Sequence, residues 1–140
     1  MVTEKLRRRR HRGAAAVEFA LVLPLLVMIL FGIMEFGYAF FIQSSVASAA
    51  RVGVRNYAIN WKTTTAQDTA ARNTAIAVAT SAVPVPGDVV GAAFTSPCVT
   101  PGSQTTLTLT YRYHSLTGLL DGVLGPNINV TGIGSMACGG

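Results

Sequence analysis

The sequence predicts an α+β protein: a long N-terminal transmembrane helix continuing beyond the membrane, a second helix, then a small antiparallel β-sheet. Three observations predict it. A tract of basic residues (Lys5, Arg7, Arg8, Arg9, Arg10 and Arg12) runs into an apolar stretch whose one charge before Glu35 is Glu18. The mean hydropathy is +0.44 over 140 residues, with only 12% charged. Near the C-terminal end, apolar and polar residues alternate with period two, the pattern of half-buried strands.

The formal net charge of +5 belongs to the leader. Residues 1–13 hold six basic side chains against Glu4. Beyond them Arg51, Arg55, Lys62, Arg72 and Arg112 balance Glu18, Glu35, Asp68, Asp88 and Asp121. A basic tract before an apolar span sets topology, N-terminus inside. Past the leader no basic patch with interleaved aromatics remains, so nucleic acid is not an expected partner.

Residues 14–42 are read as the transmembrane helix. Phe19 to Met34 is uncharged and spans about 24 Å of helix. Extension through Glu35 to Ile42 reaches about 36 Å, enough for the ~30 Å hydrocarbon layer. Tyr38, Phe40 and Phe41 fall at the outer interface, where aromatics gather. Glu35 there meets headgroups or water, or else a partner in an assembly. Pro24 lies inside the span and is expected to kink or loosen the helix. Ala14, Ala15, Ala16, Ala20, Gly32 and Gly37 permit close helix approach or simply fill the span.

Residues 43–60 continue the helix outside the membrane. Val46, Ala50, Gly53 and Tyr57 recur at helical spacing on one apolar face, and Arg51 and Arg55 lie on another. Residues 61–86 hold the second helix and a Pro-rich linker. Thr63, Thr64 and Thr65 offer N-caps to a helix over Ala66–Val83, with Asp68 in the first turn near the positive end of the dipole. Val83-Pro84-Val85-Pro86-Gly87 ends it.

Residues 87–140 form the β-rich external region. Val89–Phe94 is a short strand. Thr105–His114 alternates Leu107, Leu109, Tyr111 and Tyr113 against Thr106, Thr108, Thr110 and Arg112. Leu116–Gly125 is a connection. Asn127–Ala137 alternates again, with Ile128, Val130, Gly132 and Gly134 on one face. A sheet laid on the helix buries these faces. Cys98 and Cys138, the chain's two cysteines, fall on the extracytoplasmic side, where disulfides persist. A bond between them closes a loop worth roughly 4 kcal/mol; free or intermolecularly paired thiols are the other reading.

No catalytic constellation is evident. His11 lies in the leader and His114 at a strand end, and two distant cysteines cannot build a zinc site. The three Asp residues beyond the span sit in helix-start and turn contexts. The chain is therefore read as a non-enzyme, with no cofactor, metal or small-molecule substrate.

The chemistry concentrates at Gly13-Ala14-Ala15-Ala16-Val17-Glu18-Phe19. A carboxylate inside a span costs about 2.5–3.5 kcal/mol, so Glu18 calls for a use. Cleavage after Gly13 makes Ala14 the new N-terminus, and its α-amine then lies one helical turn from Glu18. The amine can pair with its own Glu18 or a neighbour's. That is the logic of a class III signal peptide, cut by a prepilin peptidase.

The stretch from Arg12 to Pro24 resembles the start of the TadE-like proteins, pseudopilins of the tight-adherence (Flp) pilus system. Phe31-Gly32-Ile33-Met34-Glu35-Phe36-Gly37 and Ala49-Ala50-Arg51-Val52-Gly53-Val54-Arg55 are also similar to that family's pattern. The resemblance spans about residues 12–57. It implies a minor pilin-like subunit of the bacterial inner membrane, N-terminus cytoplasmic and C-terminus extracytoplasmic, that assists pilus assembly and can enter the pilus. It implies cleavage between Gly13 and Ala14, with Glu18 and Phe19 serving recognition and subunit registry. The implied partners are the prepilin peptidase, other pilins or pseudopilins, and the assembly platform. TadE, TadF and TadG types share the N-terminal pattern.

Two other readings stand beside it. One is an uncleaved signal-anchored envelope protein with a small external interaction domain. The other is a secreted soluble domain, cut after Ala47-Ser48-Ala49, which has the small-x-small form of a signal peptidase site.

Overall fold

The computed structural model describes residues 2–118, 121–122, 125 and 128–139, with side chains from Gly13 onward except Pro86. The chain divides into two units, Met1–Phe36 and Gly37–Gly140.

Helix α1 runs over Val2–Asn60. It begins within the basic leader, not at Ala14. Leu, Glu, Lys and Arg are favourable helix formers and the leader has no proline, so nothing stops the helix before Gly13. The helix is continuous through Pro24. Membrane helices tolerate such a proline when other groups satisfy the freed carbonyl. In the first unit Val17 to Met34 are exposed, and Glu35 is 3% exposed, so it is not at water.

The second unit is built on the outer part of α1. Ile42, Val46, Ala49, Ala50, Val54 and Tyr57 are all buried, together with Gly53 and Ala58. This is the helical stripe read from the sequence, now wider, and Arg51 and Arg55 stay exposed opposite it. Tyr38, expected in an interfacial belt, is half-buried and packs on Tyr113 at 5.9 Å between ring centroids. Phe40 and Phe41 remain exposed.

Helix α2 spans Thr65–Ser81. Its end comes two residues before the expected Val83, since Pro84 disfavours helical backbone at the residue preceding it. Thr64 is the N-cap, with extended backbone, but its hydroxyl caps no N–H. It hydrogen-bonds Gln67 Oε1 at 2.8 Å instead.

The sheet has three antiparallel strands in the order β1-β2-β3: Val89–Phe94, Gln104–Tyr113 and Ile128–Ala137. β2 is shifted one residue from expectation, and His114 lies just past it. Asn127, expected to open β3, lies outside the described residues, as do Leu119, Leu120, Val123 and Leu124 of the expected connection. Leu107 pairs with Gly134 and Leu109 with Gly132. The leucines fill the core, and the glycines leave room for α1. A Cβ on Gly134 would lie 2.6 Å from the Ala50 carbonyl oxygen, and one on Gly132 would collide with the Val46 carbonyl. On the same face α1 also meets α2 at Gly53, where a Cβ would lie 2.6 Å from both Ala79 Cβ and Leu107 Cδ2.

Cys98 and Cys138 form a disulfide with Cα atoms 5.7 Å apart. The segment after β3 then docks on the end of α1. Gly139 N–H donates to the Ala58 carbonyl at 3.0 Å, satisfying one of the last-turn acceptors that a helix leaves open.

Candidate functional site

Gly13, Ala14, Glu18 and Phe19 all lie along one stretch of α1 and all are exposed. Space around Gly13 is open: a Cβ added there would meet nothing within 4 Å. Glu18 shares its face with Ala14 by helix geometry. From Val17 the exposed residues are almost all large and apolar: Phe19 is 64% exposed, Leu21 75% and Met28 68%. The most apolar 18-residue window of α1 has a mean hydropathy of 2.6 and no buried share. A helix this long and this apolar fits a single membrane span. Glu18 is thus one carboxylate on a surface otherwise suited to lipid.

The sequence reading missed a polar cluster behind α1. Tyr57 Oη donates to Asp68 Oδ1 at 2.8 Å and accepts from the Cys98 N–H at 3.1 Å. Arg72 holds the other Asp68 oxygen through Nε at 2.9 Å and Nη2 at 2.7 Å, and its guanidinium lies 5.5 Å from the Tyr57 ring centroid. Burial raises the Tyr57 pKa; the Cys98 N–H opposes this and Asp68 adds to it. Burial lowers that of Arg72, but its bonds to Tyr57 and Asp68 outweigh this and leave it raised. Asp68 therefore ties α2 to α1 and to the disulfide loop, beyond any part as a first-turn charge. The signal available was an aspartate one turn before Arg72.

A second cluster joins Asp88 to Tyr111 Oη at 3.3 Å and to His114 Nε2 at 3.1 Å. Tyr111 is pushed up to about 12, mainly by burial and then by the Asp88 charge. Both clusters consist of groups that satisfy one another. Among the described residues, no three His, Cys, Asp or Glu side chains are placed to hold a metal ion.

Cleavage after Ala49 is at odds with the fold. It would separate Ile42, Val46 and Ala49 from the core they help to form.

No curated protein and no solved structure gives a significant match to this chain. A family model, that of the TadE-like proteins, matches residues 13–55. The match opens on Gly13 and closes on Arg55, so it takes in Glu18, the apolar surface and most of the buried stripe. Residues 13–55, about a third of the chain, are thus similar to the TadE-like proteins.

Proposed function

We propose that the protein is a minor pilin-like subunit, non-enzymatic, that assists assembly of a tight-adherence (Flp) type pilus. The observation that carries this reading is the TadE-like match beginning on Gly13, with Glu18 exposed on an otherwise apolar helix surface. In this reading the basic leader stays in the cytoplasm and α1 crosses the inner membrane once. The disulfide-bonded unit then stands outside. A prepilin peptidase cuts between Gly13 and Ala14. Glu18 and Phe19 then serve recognition and register against neighbouring pilins or pseudopilins on the assembly platform.

The continuity of α1 across Gly13 and Ala14 favours a second reading, an uncut signal-anchored envelope protein, because a protease must unwind a helix to cleave it. One experiment separates the two. In cells carrying the peptidase, the native chain should begin at Ala14, and Gly13→Leu should retain the leader. N-terminal sequencing that finds residue 1 or 2 in the native membrane protein refutes the processing and supports the anchor.

A further inference from the structure

The aromatic belt that closes the span belongs to the second unit, and the sheet packs against it. About twenty residues of helix cross the ~30 Å hydrocarbon layer, so a span that opens on Phe19 closes on Tyr38. Headgroups fill a further ~5–7 Å on each side. Phe40 and Phe41 fall in that layer and stay exposed. Ile42, about 6 Å of helix beyond Tyr38, is already buried in the core of the second unit.

Strand β2 brings the sheet down to the same level. β3 runs beside α1 in the same direction, since Gly132 lies against Val46 and Gly134 against Ala50. Antiparallel to β3, β2 therefore runs back toward the membrane. It ends on Tyr113, whose ring centroid lies 5.9 Å from that of Tyr38. Arg112, one residue earlier, takes the opposite face of the strand and is exposed. It stands about 3.4 Å above Tyr113, within the headgroup layer. Among the described residues no ion pair forms on it. Asp88, the acid beside this end of β2, is engaged by Tyr111 and His114. Leu116 follows three residues past Tyr113 and is 57% exposed.

We infer that this end of the sheet is seated in the lipid headgroups of the leaflet where α1 emerges, as a second membrane contact beside the helix. The Arg112 guanidinium meets a lipid phosphate, a pairing that an anionic surface favours, and Leu116 reaches the acyl boundary. The bilayer is specified by continuity: the helix that carries Tyr38 to the edge of the lipid carries Tyr113 to the same depth. Two contacts side by side fix how the second unit faces the membrane, whereas a helix alone leaves it free to turn about the helix axis. The inference rests on α1 crossing the membrane and is independent of whether the leader is cut.

The test uses the full chain in nanodiscs containing phosphatidylglycerol, with lipids brominated near the headgroup or near the chain end as fluorescence quenchers. Trp61, the chain's only tryptophan, follows the far end of α1, about 33 Å of helix from Tyr38, so native emission should be unquenched. Leu116→Trp should add emission that bromine near the headgroup quenches more than bromine near the chain end. Leu26→Trp, in mid-span, should show the reverse order. Val52→Trp, exposed on α1 about 21 Å beyond Tyr38, should add unquenched emission. In the Leu116→Trp chain, Arg112→Glu should weaken the contact about fivefold or more and lower the quenching, while Arg51→Glu, far up α1, should not. Should Leu116→Trp fail to fold, Thr117→Trp gives the same readout. Unquenched Leu116→Trp beside quenched Leu26→Trp overturns the inference and leaves the span standing. Unquenched Leu26→Trp overturns the span itself, and the inference with it. Equal quenching of Leu116→Trp and Val52→Trp, or equal effects of Arg112→Glu and Arg51→Glu, also overturns the inference.

Discussion

Replacing Gly134 by alanine should be one of the most damaging small changes in the second unit. The added methyl would lie 2.6 Å from the Ala50 carbonyl oxygen and 2.7 Å from its carbon. Both atoms are main chain, so no rotamer change relieves the contact. Reaching ordinary separation requires α1 to rise from β3 by about 0.8 Å, and a gap of 0.5–1 Å forfeits a quarter to a half of each dispersion contact that it opens. Leu107, Leu109 and Val46, all fully buried, would lose contacts in this way. Overpacking of this kind costs about 1–3 kcal/mol. The alanine recovers about 0.4–1 kcal/mol by restricting the unfolded chain. A net loss of about 1–2 kcal/mol should lower the melting temperature by about 10 °C, at 4–8 °C per kcal/mol for a unit of this size. The assay is thermal unfolding of the full chain in detergent micelles with the disulfide intact, followed by near-ultraviolet circular dichroism. Gly91→Ala is the control, since its methyl would meet Thr110 Cβ at an ordinary 3.6 Å. Gly132→Ala should behave like Gly134→Ala. The double variant should cost less than the sum of the two, because one displacement of α1 relieves both contacts. A Gly134→Ala protein that melts at or above the native temperature, or strict additivity in the double variant, refutes the argument.

Three further outcomes are expected. If the proposed cleavage frees an amine that pairs with Glu18, Glu18→Ala should leave insertion intact but reduce co-purification with pilus subunits and surface piliation, because an unpaired buried amine costs about 3–5 kcal/mol; normal piliation would refute the proposed registry role. Cys98→Ser/Cys138→Ser should destabilise the second unit by about 4 kcal/mol, measured by denaturant unfolding against the native chain, and a loss under about 1 kcal/mol would contradict it. Above pH 10 the unfolded chain releases the Tyr111 proton while the folded chain keeps it up to about 12. Stability should therefore be full below pH 10 and fall between pH 10 and 12, by on the order of 2 kcal/mol; a Tyr111→Phe chain with the same alkaline slope would exclude this residue as the source.

Much of the architecture was legible because its signals are periodic. Leu107, Leu109, Tyr111 and Tyr113 alternate and all are buried. Val46, Ala50, Gly53 and Tyr57 recur at helical spacing and form the inner face of α1. Gly132 and Gly134 could be placed on the inner face of β3, but not recognised as the seat of a helix, because that depends on which element lies opposite. The cluster of Tyr57, Asp68, Arg72 and the Cys98 N–H was illegible for a related reason. Its members come from two helices and a loop, and local sequence presents Asp68 only as a first-turn charge. The stretch from Gly13 to Phe19 is the reverse case. Its meaning lies in the order of residue types, and the fold shows only a continuous exposed helix.

The seating of α1 on Gly132 and Gly134 imposes an order in time. Val46 is synthesised 86 residues before Gly132, so at 5–20 residues per second its cover arrives roughly 4–17 s later. During that interval the stripe from Ile42 to Ala58 lacks the strand that seats it, with at most β1 and β2 made toward the end, and the apolar segment preceding it has time to enter a bilayer first. β3, the last strand made, supplies the central strand's second neighbour, the platform beneath the helix and the covalent clasp in one event. Until it is delivered, the nascent chain is an anchored helix with an adhesive side, open to chaperones and to other copies at the same stage.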